Sequence, residues 1–320
     1  MTTLAPPRAR LAPPSTEEHR QTFPCFGSQC TVIVAGGAGA PRAARAAKAK
    51  LLDWHFRYSR FEPDSELTRL NRDPRATVPI SPLLRRIIEA GLEAARRTGG
   101  LVDPTLHDAI ERAGYATDLI APALPLATAL RESAHRRAPA RPHPDRAWQR
   151  VHVDRRSGTV TRPPGVKLDS GGIAKGVFAD ELAALLAPHD AFVADCGGDI
   201  RIGGRTAPRR EVHVASPYAE DDAPLHTFLL SRAAIATSGI ARRSWRSDDG
   251  APAHHLLDPS TGRPAYTGVI QATAVAATTA EAEALSKAAL LSGPDRARTI
   301  LAHGGVFVED DGSVTVIEPA

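Results

Sequence analysis

Two short stretches of this chain carry residue types and spacings suited to phosphate chemistry. In Lys167-Leu-Asp169-Ser170-Gly-Gly172-Ile-Ala-Lys175 a strand is expected to end at Asp169 and a helix to begin at Ala174, with the glycines letting the backbone close on a ligand. Free amides at a helix start and a lysine on its first turn both favour an anion. A glycine-rich strand-to-helix corner with a solvated lysine is the plain alternative, and the segment alone leaves both open. The second stretch is the helix expected over Thr278–Leu291, where Glu283 and Lys287 stand four apart on one face. Its simplest reading is an i,i+4 ion pair worth a few tenths of a kcal/mol.

A third group is His254-His255-Leu256-Leu-Asp258-Pro-Ser-Thr-Gly262. Here an Asp-Pro and Thr-Gly turn holds a histidine at a fixed place, where a neutral imidazole can serve as a base. For His254 the expectation is a surface turn after an edge strand. Other phosphate and metal signatures are missing: Ala35-Gly-Gly-Ala-Gly-Ala40 lacks dinucleotide spacing, the Gly171–Gly176 run lacks a Gly-Lys-Ser/Thr ending, and no His-Glu-x-x-His occurs.

The elements that must position these groups are legible as punctuated runs. A strand is expected over 29–35 and a helix over 42–58, with Leu51, Leu52 and Phe56 as its buried stripe. Asp64 or Ser65 is expected to cap a short helix carrying Leu67 and Leu70. A further helix is expected over 82–97, stopped by Gly99-Gly100. Residues 121–150 are rich in Ala, Pro, Arg and His and read as a surface loop or insertion. Beyond them come short strands at 151–154 and 159–162, a helix over 174–186, two strands around Cys196-Gly-Gly-Asp199, the helix opened by Thr278-x-x-Glu281, and a C-terminal hairpin turning at Asp311-Gly312. Helices and strands without strict alternation favour an α+β fold.

Composition sets the class. The chain has 320 residues, 42% hydrophobic and 24% charged, which is ample for a core and excludes wholesale disorder. With 40 Lys+Arg against 36 Asp+Glu the formal charge is +4, which suits an anionic ligand without the basic stripe that a duplex binder needs, so no nucleic-acid partner is expected. Only five of those cations are lysines, at 48, 50, 167, 175 and 287, and a lysine supplies a compact point charge that arginine does not imitate. Cys25, Cys30 and Cys196 form neither an even set nor a CxxC pair, so a reducing, cytoplasmic setting is expected. The first 20 residues read as a frayed head without an apolar leader core, and no apolar run is long enough for a membrane span.

Taken in order, the segments Phe26–Val32, Tyr58–Asn71, Val102–Leu106, Lys167–Asp180, Val193–Arg201, Ala236–Gly239, His254–Pro264 and the helix bearing Glu283 and Lys287 resemble the ApbE family of FAD:protein FMN transferases along nearly the whole chain. The resemblance implies an α+β, two-lobed architecture over residues 21–320, with mixed and antiparallel sheets flanked by helices and FAD in the cleft. Residues 121–150 offer the natural break between lobes. It implies an enzyme that cleaves FAD, attaches FMN to a threonine of an acceptor flavoprotein and releases AMP, with Mg²⁺ as cofactor. Carried over by position, Phe26, Phe61, Asp103, Asp169, Lys175 and Leu256 would contact FAD, His255 and Lys175 would act in catalysis, and Gly172, Glu283 and Lys287 occupy the metal positions. The last two depart from the family pattern, which has an aspartate and a threonine there. A glutamate keeps the carboxylate, but an ammonium repels a metal. Lys287 would then stand beside the pyrophosphate in place of a cation, or leave Mg²⁺ displaced onto Glu283, phosphate and waters, or mark a lost activity.

Two alternatives accompany this reading. One is a noncatalytic FAD-binding protein, or a pyrophosphatase giving FMN and AMP. The other rests on Asp169-Ser-Gly-Gly, which resembles the nucleophile stretch of trypsin-like proteases and would make Ser170 a nucleophile with His255 as its base.

Overall fold

The computed structural model describes residues 17–117, 123–218 and 223–319. Its first elements are strands β1 (Glu18–Cys25) and β2 (Ser28–Ala35), joined by the two-residue turn Phe26-Gly27. Both turn residues have positive φ, the geometry that matches the twist of a tight hairpin. Helix α1 (Ala40–Tyr58) follows, then α2 (Glu66–Arg72), β3 (Thr77–Pro79) and α3 (Pro82–Arg97). Ser65 and Ser81 cap α2 and α3, their hydroxyls accepting the Thr68 and Leu84 amides.

The middle of the chain holds α4 (His107–Arg112), α5 (Leu126–Ser133), β4 (His152–Asp154), β5 (Thr159–Thr161), α6 (Ala174–Leu186), β6 (Ala191–Asp195) and β7 (Ile200–Gly203). Next come β8 (Arg210–Val214), β9 (His226–Leu230), β10 (Ala234–Gly239), β11 (Ser244–Arg246), β12 (Pro252–His254), β13 (Leu257–Asp258), β14 (Arg263–Pro264) and β15 (Val269–Ala276). The chain closes with α7 (Thr279–Ser292), α8 (Pro294–Ile300), β16 (Gly305–Glu309) and β17 (Val314–Ile317).

The fold is α+β. Among the described residues the largest sheet has eight strands in the order β1-β2-β6-β7-β10-β15-β16-β17, every neighbouring pair antiparallel. It draws strands from both sides of residues 121–150. Helices α1, α6 and α7 pack on it, α1 against β1 and β2, α6 against β6 and β7, and α7 against β10 and β15. The β8–β9 hairpin contributes Val212, Val214, Phe228 and Leu230 to a second core with Ile202, Ile235 and Val275 of the sheet.

Four expectations are corrected. No strand leads into Asp169: β5 ends at Thr161, and residues 166–170 reach the corner before α6 as irregular backbone. The buried stripe of α1 is Ala40, Ala44, Ala47, Leu51, Trp54 and Tyr58, whereas Leu52 and Phe56 are 41% and 57% exposed. Small alanines let α1 lie close on the sheet, so the contact face follows the alanines rather than the largest apolar side chains. Residues 121–150 contain α5 and two 3₁₀ turns, with Ala129, Ser133, Ala140 and Trp148 buried, so the described part of that segment is packed structure. Strand β1 begins at Glu18, inside the expected head, while residues 1–16 lie outside the described residues.

Candidate functional site

Helices α6 and α7 meet over a glycine. A Cβ at Gly176 would lie 2.8 Å from the Ala280 backbone and 2.9 Å from Glu283 Oε2, distances that no side chain tolerates against backbone. The approach is fixed at two more points. Asp180 of α6 accepts the Thr279 and Ala280 amides at 2.8 and 3.0 Å, filling orphan donors at the start of α7. Thr278 accepts the Glu281 amide, as its capping-box position predicts, and Ser286 shares a 2.8 Å hydrogen bond with Ser238 of β10.

This packing buries four charges together. Lys175 donates to Asp199 Oδ2 and, at 3.3 Å, to Glu283 Oε1. Lys287 donates to that same Glu283 oxygen at 3.0 Å, and the Gly176 amide donates to Oε2 at 2.9 Å. Two ammoniums and two carboxylates make the group neutral, the condition under which buried charge is tolerated. Burial pushes the Asp199 carboxyl up to about 6 against the pull of Lys175. Burial opposes ionisation of Glu283 as well, yet Lys175, Lys287 and the Gly176 amide outweigh it and hold that carboxyl at about 2. Lys175 also loses hydration, but Asp199 and Glu283 keep it above the ordinary lysine value and hence charged.

Beside this quartet lies a cleft open to solvent. Phe26, Phe61, Asp103, Asp169, Gly172, Lys175, His255, Leu256 and Lys287 all line it. Glu283 does not, being 0% exposed behind the two lysines, and Asp199 is likewise absent from the wall. The cleft therefore meets ammoniums where the carboxylates that anchor them are hidden. One proton of Lys287 is used by Glu283, which leaves two donors for a ligand.

Residues that sequence reasoning passed over complete the wall. Arg60 lies over the rings of both Phe61 and Tyr115, at 4.2 and 4.7 Å from their centroids, and donates to the Tyr115 carbonyl at 2.5 Å. Arg243 donates to the Phe26 carbonyl at 2.9 Å and faces the same cleft. Phe26 holds φ +56°, a conformation costing a bulky residue roughly 1–2 kcal/mol, and its ring stacks on Phe178 at 5.5 Å with His55 edge-on at 5.1 Å. Neither arginine stands out in a chain with 35 of them; only the spatial meeting of separate loops distinguishes these two.

The titratable groups sort by environment. Asp103 accepts the Thr105 amide and hydroxyl on Oδ1, at 2.8 and 2.6 Å, while its buried Oδ2 has no partner among the described residues; burial pushes this carboxyl up. Asp169 accepts the Gly171 amide at 2.9 Å and sits 3.7 Å from Arg60. Burial, with Arg243, His254 and Lys287 nearby, drives His255 well below the ordinary imidazole range, and its buried Nδ1 has no hydrogen-bond partner among the described residues. His254 departs from expectation: only 1% exposed, it packs edge-on against Tyr266 at 4.9 Å. Pairing of β12 with β11 draws it inward, so a motif reading as a surface turn begins in the core. Ser170 donates to the Tyr58 carbonyl at 3.3 Å, a structural hydrogen bond rather than an activated nucleophile.

The donor set does not fit a dication at Gly172, Glu283 and Lys287. The three are brought together, since a Cβ on Gly172 would lie 3.8 Å from Lys287 Cε, but what projects there is an ammonium. Both Glu283 oxygens are taken by N–H groups. A divalent ion about 4 Å from one ammonium would suffer repulsion on the order of 8 kcal/mol at an effective dielectric near 20. Among the described residues, the grouping of histidine and carboxylate atoms tight enough for a metal is His107, Asp108 and Glu111 on α4, where Asp108 is already paired with Lys167 at 2.8 Å.

Comparison with known proteins gives consistent matches. The ApbE family model matches residues 26–308. An FAD:protein FMN transferase of Treponema pallidum is 29% identical over 259 residues, 74% of this chain and 68% of that protein. One from Salmonella typhimurium is 25% identical over 283 residues, covering 83% and 77%. The crystal structure of the Thermotoga maritima ApbE protein superposes with TM-score 0.76 at 26% identity, over 94% of this chain and 97% of the other. The flavin transferase ApbE of Vibrio cholerae, at 20% identity and TM-score 0.72 over 94% and 97%, shares the fold.

Proposed function

The chain belongs to the ApbE family, and from that premise we propose that it is an FAD:protein FMN transferase acting on a threonine of an acceptor protein. The observation carrying this reading is the cleft wall itself: Lys175, Lys287 and Arg243 face a space bounded by Phe26, Phe61 and Tyr115. Three cations suit a pyrophosphate, and aromatic faces suit the ring systems of a flavin dinucleotide.

On this reading FAD lies with its phosphates against Lys175 and Lys287. The acceptor threonine oxygen attacks the FMN phosphorus in line. A new phosphoester bond forms, the bond from that phosphorus to the bridging oxygen breaks, and AMP departs with the oxygen. Lys175, Lys287 and Arg243 neutralise the charge that develops on the leaving phosphate. His255 is the candidate to accept the threonine proton. Burial first, then Arg243, His254 and Lys287, depress its basicity, and an anionic phosphate set beside Arg243 and Lys287 would offset their part of that field. Asp103, Asp169 and Leu256 would hold the remainder of the dinucleotide, with Gly172 giving the phosphates close access. Mg²⁺, which the family resemblance implies, has no place in this sequence of steps because the donor set does not suit it.

The test is to mix the purified protein with FAD and a threonine-bearing acceptor, follow AMP by chromatography and look for in-gel flavin fluorescence on the acceptor. Labelled acceptor with matching AMP supports transfer. FMN and AMP without labelled acceptor would make the protein a pyrophosphatase, and FAD bound but intact would make it a flavin-binding protein.

A further inference from the structure

We propose that the Lys287 ammonium occupies the place of a divalent metal, so that FAD cleavage and flavin transfer proceed without one. The inference rests on the transferase reading for its substrate, but its structural ground is independent of that reading.

That ground is the arrangement of the quartet. Glu283 is fully buried on α7 and turned away from the cleft, with Oε1 shared by Lys287 at 3.0 Å and Lys175 at 3.3 Å and Oε2 closed by the Gly176 amide at 2.9 Å. A metal-binding carboxylate must offer a free oxygen toward the substrate; this one offers none. Lys287 is 9% exposed, and it is among the side chains that meet the cleft. Its position is over-determined: helix α7 is capped by Asp180 and Thr278, pinned to β10 through Ser286, and held against Gly176. A charge fixed in this way needs little reorganisation as phosphate charge shifts, which is the requirement for electrostatic stabilisation of a transition state. Lysine rather than arginine fits the role, because a compact ammonium delivers point charge where the metal's would fall.

The experiment separates the cation question from the transferase question. Protein stripped with EDTA is titrated with Mn²⁺ and free ion is read by electron paramagnetic resonance, with and without FAD. AMP release and acceptor labelling are measured in EDTA and in excess Mg²⁺, for the wild type and for Lys287→Thr and Lys287→Arg, whose folding is checked by circular dichroism. The wild type is expected to bind no Mn²⁺ at micromolar concentration and to turn over equally in EDTA and in Mg²⁺. Lys287→Thr should lose about a hundredfold in kcat in EDTA, regain part of it with Mg²⁺ and acquire a Mn²⁺ site. Lys287→Arg should keep metal-independent turnover at a reduced rate. The proposal is overturned if the wild type loses turnover in EDTA and recovers it with Mg²⁺, or if it holds a Mn²⁺ site that Glu283→Gln removes. If no variant yields AMP under any condition, the transferase reading fails, while the Mn²⁺ titration still decides whether Lys287 excludes a metal.

Discussion

The Gly176 amide donates to Glu283 Oε2 at 2.9 Å across the α6–α7 contact, and the same glycine leaves no room for a Cβ. Backbone on one helix thus orients the carboxylate that holds both cleft lysines. Gly176→Ala is expected to push α7 outward and to lower stability by roughly 1–3 kcal/mol, the usual range for overpacking. FAD turnover should fall with it, because Lys287 moves with Glu283. Urea unfolding together with AMP release checks this, and unchanged values for both would mean the helices do not meet as described.

Asp199 is 1% exposed and receives Lys175 inside the neutral quartet. Asp199→Asn should leave a buried charge under-compensated and cost about 3 kcal/mol of stability, near the lower end for breaking a buried pair. A melting temperature equal to the wild type's would show that the pair contributes nothing.

Phe26 carries backbone strain in order to present its ring to the cleft. In Phe26→Gly the relief of strain and the loss of packing oppose each other, so stability should change little, whereas removal of an aromatic surface should weaken FAD about tenfold. Flavin fluorescence quenching gives the affinity; equal affinity with reduced stability would assign the residue to packing alone.

Below about pH 6.5 the unfolded chain protonates His254, but burial holds the folded imidazole down to about 3. The unfolded state then binds the additional proton, so stability falls as pH drops through that window, by about 1.4 kcal/mol per pH unit from this residue. In His254→Asn the stability curve should be shallower by that amount between about pH 6 and pH 4. Parallel curves for the two proteins would contradict a buried neutral histidine.

Since Ser170 is committed to the Tyr58 carbonyl, a serine-directed phosphonate should leave the protein's intact mass unchanged. A phosphonyl adduct at Ser170 would restore the hydrolase alternative.

How far the chain could be read in advance follows from which forces are local. Helices α3 and α7 announce themselves through caps and stops, and the Asp311-Gly312 turn announces the last hairpin, because those signals act within a few residues. Of the expected α1 stripe Leu51 is buried, whereas Leu52 and Phe56 are apolar yet face solvent, a choice made by the close approach of alanines to the sheet. At the site, Glu283 and Lys287 could be placed on one helix face, but their sharing of an oxygen with Lys175, 108 residues away in the chain, is a product of tertiary packing. Arg60 and Arg243 gave no local signal at all, since each matters only through loops that meet it in space.

The most direct measurement is a crystal structure of the protein soaked with FAD in EDTA. The account predicts the pyrophosphate within hydrogen-bond reach of Lys175 and Lys287 Nζ, with an aromatic ring of the ligand against the Phe26 or Phe61 side of the cleft. Density for the dinucleotide elsewhere, or phosphates turned away from both lysines, would contradict it.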